Sequence, residues 1–179
     1  MTDTTPTPKP PTLLVDTDAL IDLDRWQEEA AAKRWLHFFL HIAEAQPRHP
    51  ELLDAIELAK GDGVRVEYTS RWIPAAQYLL RDWLAEQGYP GARMWMRRNP
   101  DLDAADLAAQ HGGFVSTGKR PVLLLHNDAE VAASLRKRHI AALAPAQLPH
   151  TVEGLRKMFA LARPVAQAAR PERKKEAAA

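Results

Sequence analysis

Residues 13–18, LLVDTD, form an apolar run that ends in two carboxylates two residues apart. A short apolar run of this kind is typical of a buried strand. In an open α/β sheet, ligands bind beyond the carboxyl ends of the strands, so Asp16 and Asp18 are expected at an edge that forms a site. Aspartate is also common in turns and at helix starts, and the pattern alone fits that role as well.

Four further strand patterns follow along the chain, and helical patterns lie between most of them. The predicted strands are residues 64–68, 93–96, 121–125 and 140–143. The predicted helices are residues 25–45, 51–60, 74–86, 103–110, 130–138 and 151–161, and residues 111–119, with three glycines, are expected to form a loop. Strands that alternate with helices predict a parallel sheet with helices on both faces.

The length of 179 residues favours a single domain. Residues 1–11 are rich in threonine and proline and are expected to form a disordered leader. Residues 164–179 are rich in alanine, proline and charge and are expected to form a disordered tail. Residues 12–163 then form the folded domain.

Composition excludes several classes of protein. The 24 basic and 23 acidic residues nearly cancel, so the chain as a whole has no signature of polyanion binding. The absence of cysteine excludes disulfides, thiolate zinc sites and cysteine nucleophiles, and it fits a cytoplasmic protein. No apolar run approaches the roughly 20 residues that span a bilayer, so no membrane partner is expected.

Polar side chains follow three of the predicted strands. They are Asp16 and Asp18, Thr69 and Ser70, and His126, Asn127 and Asp128. Because the carboxyl ends of parallel strands lie at one edge of a sheet, these groups are expected to converge on one cleft. Paired carboxylates there can bind a hard cation such as Mg²⁺ and can divide the roles of nucleophile and proton donor.

In the order and spacing of these motifs the chain resembles the haloacid dehalogenase-like hydrolases. The family's first motif, an apolar strand ending in Asp-x-Asp, is matched by residues 13–18, and its second, a strand ending in Thr or Ser, by residues 66–71. Within that family the chain is similar to the 3′-phosphatase domain of phage-type polynucleotide kinases. That group's Thr-Gly-Arg is matched by residues 69–71 (TSR), its Met-Arg strand end by residues 94–97 (MWMR), and the segment with its fourth motif by residues 121–131.

The resemblance implies a role for each matched residue. Asp16 would attack a phosphoryl group, and Asp18 would protonate the leaving alcohol and then activate water. The expected substrate-binding residues are Thr69, Ser70, Arg71 and Arg97. Mg²⁺ would be held by Asp16, Asp18 and a residue of the fourth motif, for which Asn127 and Asp128 are the candidates. Trp72 is a candidate to stack on a nucleobase, although a core position is the commoner role of a tryptophan.

The chain departs from the family pattern at three places. Ala19 and Leu20 stand where the family has Gly-Thr, which is tolerable if φ at Ala19 stays negative. His126 and Asn127 stand in place of a pair of acids, and Ala108 in place of a lysine. Losing the acid and the lysine together weakens the binding of metal and phosphate.

Two functional hypotheses follow, on the same predicted fold. That fold is a three-layer, Rossmann-like α/β domain with little or no cap. The first hypothesis is a Mg²⁺-dependent phosphatase that acts on a nucleotide or a nucleic-acid 3′-phosphate through an aspartate nucleophile. The alternative is a catalytically weakened relative that acts as a phosphate-binding or protein-interaction module. A purely structural role leaves the two acids unexplained, and the sequence does not specify an oligomeric state.

Overall fold

The computed structural model describes residues 9–116 and 119–165. Most of the predicted leader and tail, residues 1–8 and 166–179, lies outside the described residues. Val165 is buried, and its main-chain N–H donates a hydrogen bond to Ser116 Oγ at 2.9 Å. Packed structure therefore extends to residue 165, slightly beyond the predicted domain boundary.

The centre of the structure is a sheet of five parallel strands. They are β1 (Thr12–Asp16), β2 (Arg65–Ser70), β3 (Arg93–Met96), β4 (Val122–Leu125) and β5 (Ala142–Leu143). Their order in the sheet is β3-β2-β1-β4-β5, and all pairs are parallel. The chain therefore builds outward from β1 in one direction and then returns to the other side of β1, which opens a crevice between the ends of β1 and β4.

Helices cover both faces of this sheet and give three layers. They are α1 (Gln27–Ala31), α2 (Trp35–Ile42), α3 (Leu52–Gly61), α4 (Gln77–Glu86), α5 (Ala104–Val115), α6 (Ala129–Lys137) and α7 (Val152–Leu161). Residues of α2, α3, α4 and α7 pack on the face that holds Leu13 and Val15, whereas α5 and α6 pack on the face of Leu14. The predicted Rossmann-like α/β fold is confirmed. No helix in the described ranges combines the length and apolarity needed to cross a membrane.

Strand β1 is buried along its whole length because it has a strand on each side and helices on both faces. Parallel strands in that position read as continuous apolar runs rather than as an alternating pattern. The apolar run 13–15 satisfies this requirement, and it places Asp16 at the first position where the strand leaves the core.

The single helix predicted for residues 25–45 is wrong, because the segment forms the two helices α1 and α2. Lys33, between them, has a φ of 58°. A left-handed residue cannot continue a right-handed helix, so α1 ends before it. The segment has no glycine or proline to signal the break, but its apolar spacing was informative, since Phe38 and Ile42 are buried.

The loop predicted for residues 111–119 is also wrong in its first half, because α5 continues through Val115. A Cβ atom at Gly112 would lie 3.4 Å from Val165 and 3.5 Å from Leu124, which is ordinary van der Waals contact. Gly112 is buried within α5 and its φ is not positive, so it occupies an ordinary helical position. A glycine-rich pattern does not distinguish such a position from a turn.

The central position of β1 predicts a strong effect of truncating it. Leu14 is fully buried, so Leu14→Ala should lower the free energy of unfolding by about 2–5 kcal/mol through lost burial and a residual cavity. Urea unfolding measures this change. Leu36→Ala is the matched control, because Leu36 is 72% exposed, and it should stay within about 0.5 kcal/mol of wild type. Equal effects of the two substitutions would contradict the packing described.

Candidate active site

Asp16 is the last residue of β1 and lies buried at the crevice between β1 and β4. Its Oδ1 accepts a hydrogen bond from the main-chain N–H of Asp18 at 3.1 Å, and its Oδ2 accepts one from the main-chain N–H of Asn127 at 3.2 Å. Two rigid donors from different segments therefore fix the carboxylate and stabilise its negative charge.

The turn that follows β1 is anchored to β2. Residues 17–19 form a single 3₁₀ turn, and Thr17 Oγ1 donates to Ser70 Oγ at 3.0 Å. Ala19 is accommodated there because its φ is not positive. Ser70 is fully buried and also accepts a hydrogen bond from the main-chain N–H of Trp72 at 3.3 Å. The Ser70 hydroxyl thus connects β2 to the turn that follows β1 and to the main chain at Trp72.

Asp18 lies beside Asp16 with both carboxylate oxygens hydrogen bonded. Oδ1 accepts from the indole N–H of Trp72 at 2.9 Å, and Oδ2 accepts from Nε of Arg71. Burial, and then the negative charge of Asp16, raise the pKa of Asp18 to about 6, against the opposing effect of Arg71. A carboxyl group with this pKa exchanges its proton near neutral pH, as an acid–base group requires.

Arg71 and Trp72 form the rim next to Asp18. The Arg71 guanidinium lies over the Trp72 ring, 4.4 Å from its centroid, and the Arg71 side chain is 40% exposed. The Trp72 ring also packs against Phe38 with 4.5 Å between centroids and is buried. The structure therefore uses Trp72 to orient Asp18 and leaves little of its ring for a nucleobase.

Thr69 pairs with Asp16 in the register of β1 and β2. Its Oγ1 makes a 2.6 Å hydrogen bond with Nδ1 of His111, which is buried on α5. Burial lowers the pKa of His111 to about 4, although a hydrogen bond with the backbone of Met96 opposes the shift. The imidazole is therefore neutral at pH 7. Sequence reasoning missed His111 by assigning it to a loop, although it follows Ala108 by one helical turn.

Three predicted site residues follow β4. His126 and Asn127 lie next to Asp16, and Asp128 does not. His126 Nδ1 lies 3.7 Å from Asp16 Oδ2 and accepts a hydrogen bond from the main-chain N–H of Asp128 at 3.0 Å. Asn127 reaches Asp16 through its main chain. The Asp128 carboxylate instead caps α6, accepting from the N–H groups of Glu130 at 2.7 Å and Val131 at 3.3 Å.

Arg97 is also directed away from Asp16. Its guanidinium donates to the carbonyl oxygens of Asn99 at 3.1 Å, of Leu102 at 3.2 Å and of Pro100. These bonds close the loop that follows β3. The arginine therefore shapes the rim of the crevice in this structure and makes no contact with the two acids.

The side chains around Asp16 offer few ligands to a metal ion. Within residues 9–116 and 119–165 there is no group of three or more His, Cys, Asp or Glu side chains suited to a metal. Mg²⁺ usually takes one or two carboxylates together with waters and substrate phosphate. The expected ligands, which are the Asp16 carboxylate, the Asp18 carbonyl and the Asn127 amide oxygen, would bring one carboxylate and two neutral oxygens to such a site.

A cavity of about 790 Å³ opens beside Arg71, and its volume is within the usual range for small-molecule sites. Gln27 of α1, Trp35 of α2, and Arg97 and Arg98 after β3 line it together with Arg71. A half-buried aromatic ring and three guanidinium groups are suited to a planar, anionic molecule. The lining reaches the site through Arg71, the partner of Asp18, and does not itself include Asp16 or Asp18.

Comparisons of the chain with protein-family models, with curated proteins and with solved structures found no match. The resemblance to the hydrolase family therefore depends on the motifs of the chain itself.

The raised pKa of Asp18 predicts that this residue lowers stability at neutral pH. Its folded-state pKa of about 6 exceeds the ordinary aspartate value of 3.8, so it favours folding while protonated at low pH. That contribution is lost as pH rises through 6. Asp18→Asn should therefore raise the free energy of unfolding by about 1–3 kcal/mol near pH 8 and change it little near pH 4.

Thermal unfolding followed by circular dichroism at the two pH values measures this difference. The exposed residue Asp82 on α4 supplies the control, and Asp82→Asn should have the same small effect at both. An Asp18→Asn protein that is no more stable than wild type near pH 8 would contradict the burial and charge assigned to Asp18.

Proposed function

We propose that this protein is a phosphoric monoester hydrolase in which Asp16 is the nucleophile and Asp18 the proton donor. The observation that carries the proposal is the Asp16 carboxylate, buried at the end of the central strand and held by two main-chain N–H groups at 3.1 and 3.2 Å. Asp18, whose pKa is raised to about 6, lies beside it. A fixed carboxylate next to a carboxyl group whose pKa is raised is suited to divided nucleophile and acid roles.

In the first step, an Asp16 carboxylate oxygen attacks the phosphorus of the monoester. The bond between phosphorus and the ester oxygen breaks as the bond to Asp16 forms, which gives an aspartyl-phosphate. The departing alkoxide takes the proton of the Asp18 carboxyl and leaves as the alcohol. The Asp18 pKa of about 6 keeps a protonated fraction available near neutral pH.

In the second step, water attacks the phosphorus of the aspartyl-phosphate. Asp18, now a carboxylate, takes a proton from that water, and the bond between phosphorus and Asp16 breaks. Inorganic phosphate leaves, Asp16 is again a carboxylate and Asp18 is again protonated. The N–H groups of Asp18 and Asn127 hold the Asp16 carboxylate before and after the transfer.

Positive charge is needed because a carboxylate and a phosphate repel each other. Mg²⁺, when bound by Asp16, the Asp18 carbonyl and Asn127, would cancel part of that charge. Arg71, which is partly exposed, is paired with Asp18, so its guanidinium lies beside the two acids. On the β2 side of the site, Thr69 is oriented by its hydrogen bond with His111, and Ser70 is the next residue of the strand. Arg97 supports the loop that follows β3.

A nucleotide or a nucleic-acid 3′-phosphate is the proposed substrate. The cavity beside Arg71 supports this choice, because Trp35 offers an aromatic ring for a base and Arg98 a charge for a further phosphate. A cytoplasmic location is part of the proposal, since a chain without cysteine has no disulfides to form in an oxidising compartment.

One set of contacts favours a second candidate function, a phosphate-binding or protein-interaction module. The Asp128 carboxylate is used as a helix cap, Arg97 is bonded to main-chain carbonyls, and Ala108 offers no charge. Fewer charges are then left for the transition state than phosphoryl transfer usually employs. Binding of phosphate without turnover is what this second candidate predicts.

Hydrolysis assays separate the two candidates. An aryl phosphate and a 3′-phosphorylated oligonucleotide should each release phosphate, and removal of Mg²⁺ should slow the release. Asp16→Asn should lower the rate at least about a thousandfold, because it removes the nucleophile. Asp82→Asn changes an exposed aspartate outside the site and should leave the rate unchanged.

Folded wild-type protein that binds phosphate without hydrolysing either substrate would support the binding module. Turnover that persists in Asp16→Asn would contradict the nucleophile assignment. Protein that neither hydrolyses the substrates nor gains thermal stability from phosphate would contradict both the hydrolase and a phosphate-binding module.

A further inference from the structure

Within residues 9–116 and 119–165, strand β3 pairs with β2 alone, so it forms an open edge of the sheet. The main-chain N–H of Arg97 donates to the Ser70 carbonyl, so Arg97 and every second residue before it direct their main-chain groups toward β2. The main-chain groups of Met94 and Met96 therefore point away from β2. His111 hydrogen bonds the backbone of Met96. Both polar main-chain groups of Met94 lack a partner among the described residues.

A groove of about 910 Å³ runs along this edge between α4 and α5. Gln77 and Arg81 of α4 form one wall, and Gln110 and Phe114 of α5 form the other. The floor is β3 itself, with residues of both its faces lining the groove. A strand edge between two helices leaves space for one more extended segment.

The groove is positively charged. Arg81, Arg93 and Arg98 line it, all three are exposed, and its lining includes no aspartate or glutamate. None of the three forms an ion pair with a carboxylate in the described part of the chain. An acidic ligand would therefore meet, on both sides of the strand edge, guanidinium groups that no carboxylate of the described residues neutralises.

Residues of the chain itself do not fit this charge. A second copy joined at the same edge would bring Arg81 and Arg93 against the same arginines of its partner. Residues 166–179, which follow Val165 near α5, contain more basic than acidic side chains, and residues 1–8 contain one acid. Like charges oppose both a second copy and residues 166–179 in this groove, and residues 1–8 offer a single carboxylate.

A nucleic-acid strand fits less well than a peptide. It would use the arginines, but it would leave the main-chain groups of Met94 without partners. The Trp95 ring, which a base would need, already has the Arg93 guanidinium 4.0 Å from its centroid and Phe114 stacked at 5.5 Å. A peptide strand instead satisfies the main chain, and its acidic side chains reach the arginines.

We propose that this groove binds an extended acidic segment of a partner protein, which adds a sixth strand to the sheet beside β3. The groove shares Arg98 with the cavity beside Arg71, but Arg81 and Arg93 line the groove and not that cavity, and the proposal does not depend on hydrolysis at Asp16. Alternate side chains of the added strand would contact the α4 and α5 walls, and its main chain would hydrogen bond Met94.

Fluorescence anisotropy with labelled peptides tests the proposal. The probe is a peptide of about ten residues that alternates glutamate and valine. One comparison peptide replaces glutamate with lysine, and a second carries N-methyl groups on alternate residues, so that it keeps its charge and loses main-chain donors. Labelled oligothymidine of similar length completes the set. The Glu–Val peptide should bind saturably, and both comparison peptides should bind at least about tenfold more weakly.

Arg81→Glu should weaken binding of the Glu–Val peptide at least about fivefold, and Arg81→Glu with Arg93→Gln should weaken it further. Lys137→Glu makes the same charge change on α6, at the opposite edge of the sheet, and should leave binding unchanged. Hydrogen exchange at the Met94 amide should slow when the peptide binds.

Absence of saturable binding by the Glu–Val peptide would overturn the proposal. Equal binding of the N-methylated peptide would overturn strand addition, because it would show attraction by charge alone. Oligothymidine that binds more tightly than the peptide, and loses binding in Arg81→Glu, would assign the groove to nucleic acid instead.

Discussion

The interaction on which the rest of the site depends is the pair of hydrogen bonds that the Asp16 carboxylate accepts from the main chain. One donor belongs to the turn after β1 and the other to the turn after β4. These turns flank the crevice where the chain reverses its direction of growth across the sheet. Asp16 therefore joins the two segments that the topology brings together, and its position is fixed by main-chain atoms that a side-chain substitution cannot remove.

The charges around Asp16 depend on that position. Asp18 is forced into a buried place two residues along the turn, where Trp72 and Arg71 hold its oxygens. Burial and the neighbouring charge raise its pKa to about 6, which is unfavourable for stability at neutral pH. Such a cost is common at functional sites, because they require groups that the fold alone would not select. The same carboxyl group is well suited to proton transfer.

The sequence predicted the residues whose position follows from strand order, but it did not specify the hydrogen-bond partners of the side chains around them. Asp16 and Thr69 follow apolar strands, so a parallel sheet brings them together. Asp128 and Arg97 were also predicted at the site, but nearby N–H groups and carbonyls satisfy them locally. His111 escaped notice because the glycines beside it indicated a loop, although Gly112 lies inside α5. Local hydrogen bonds and packing distances are not readable from spacing.

Covalent trapping shows directly whether Asp16 is the nucleophile. Wild-type protein mixed with an aryl phosphate, quenched in acid and measured by intact mass spectrometry should gain the mass of one phosphoryl group. Fragmentation should place that group on the peptide containing Asp16, and Asp16→Asn should gain nothing. A phosphoryl group on another residue such as His126, or phosphate release with no adduct at any time during turnover, would contradict an Asp16 nucleophile.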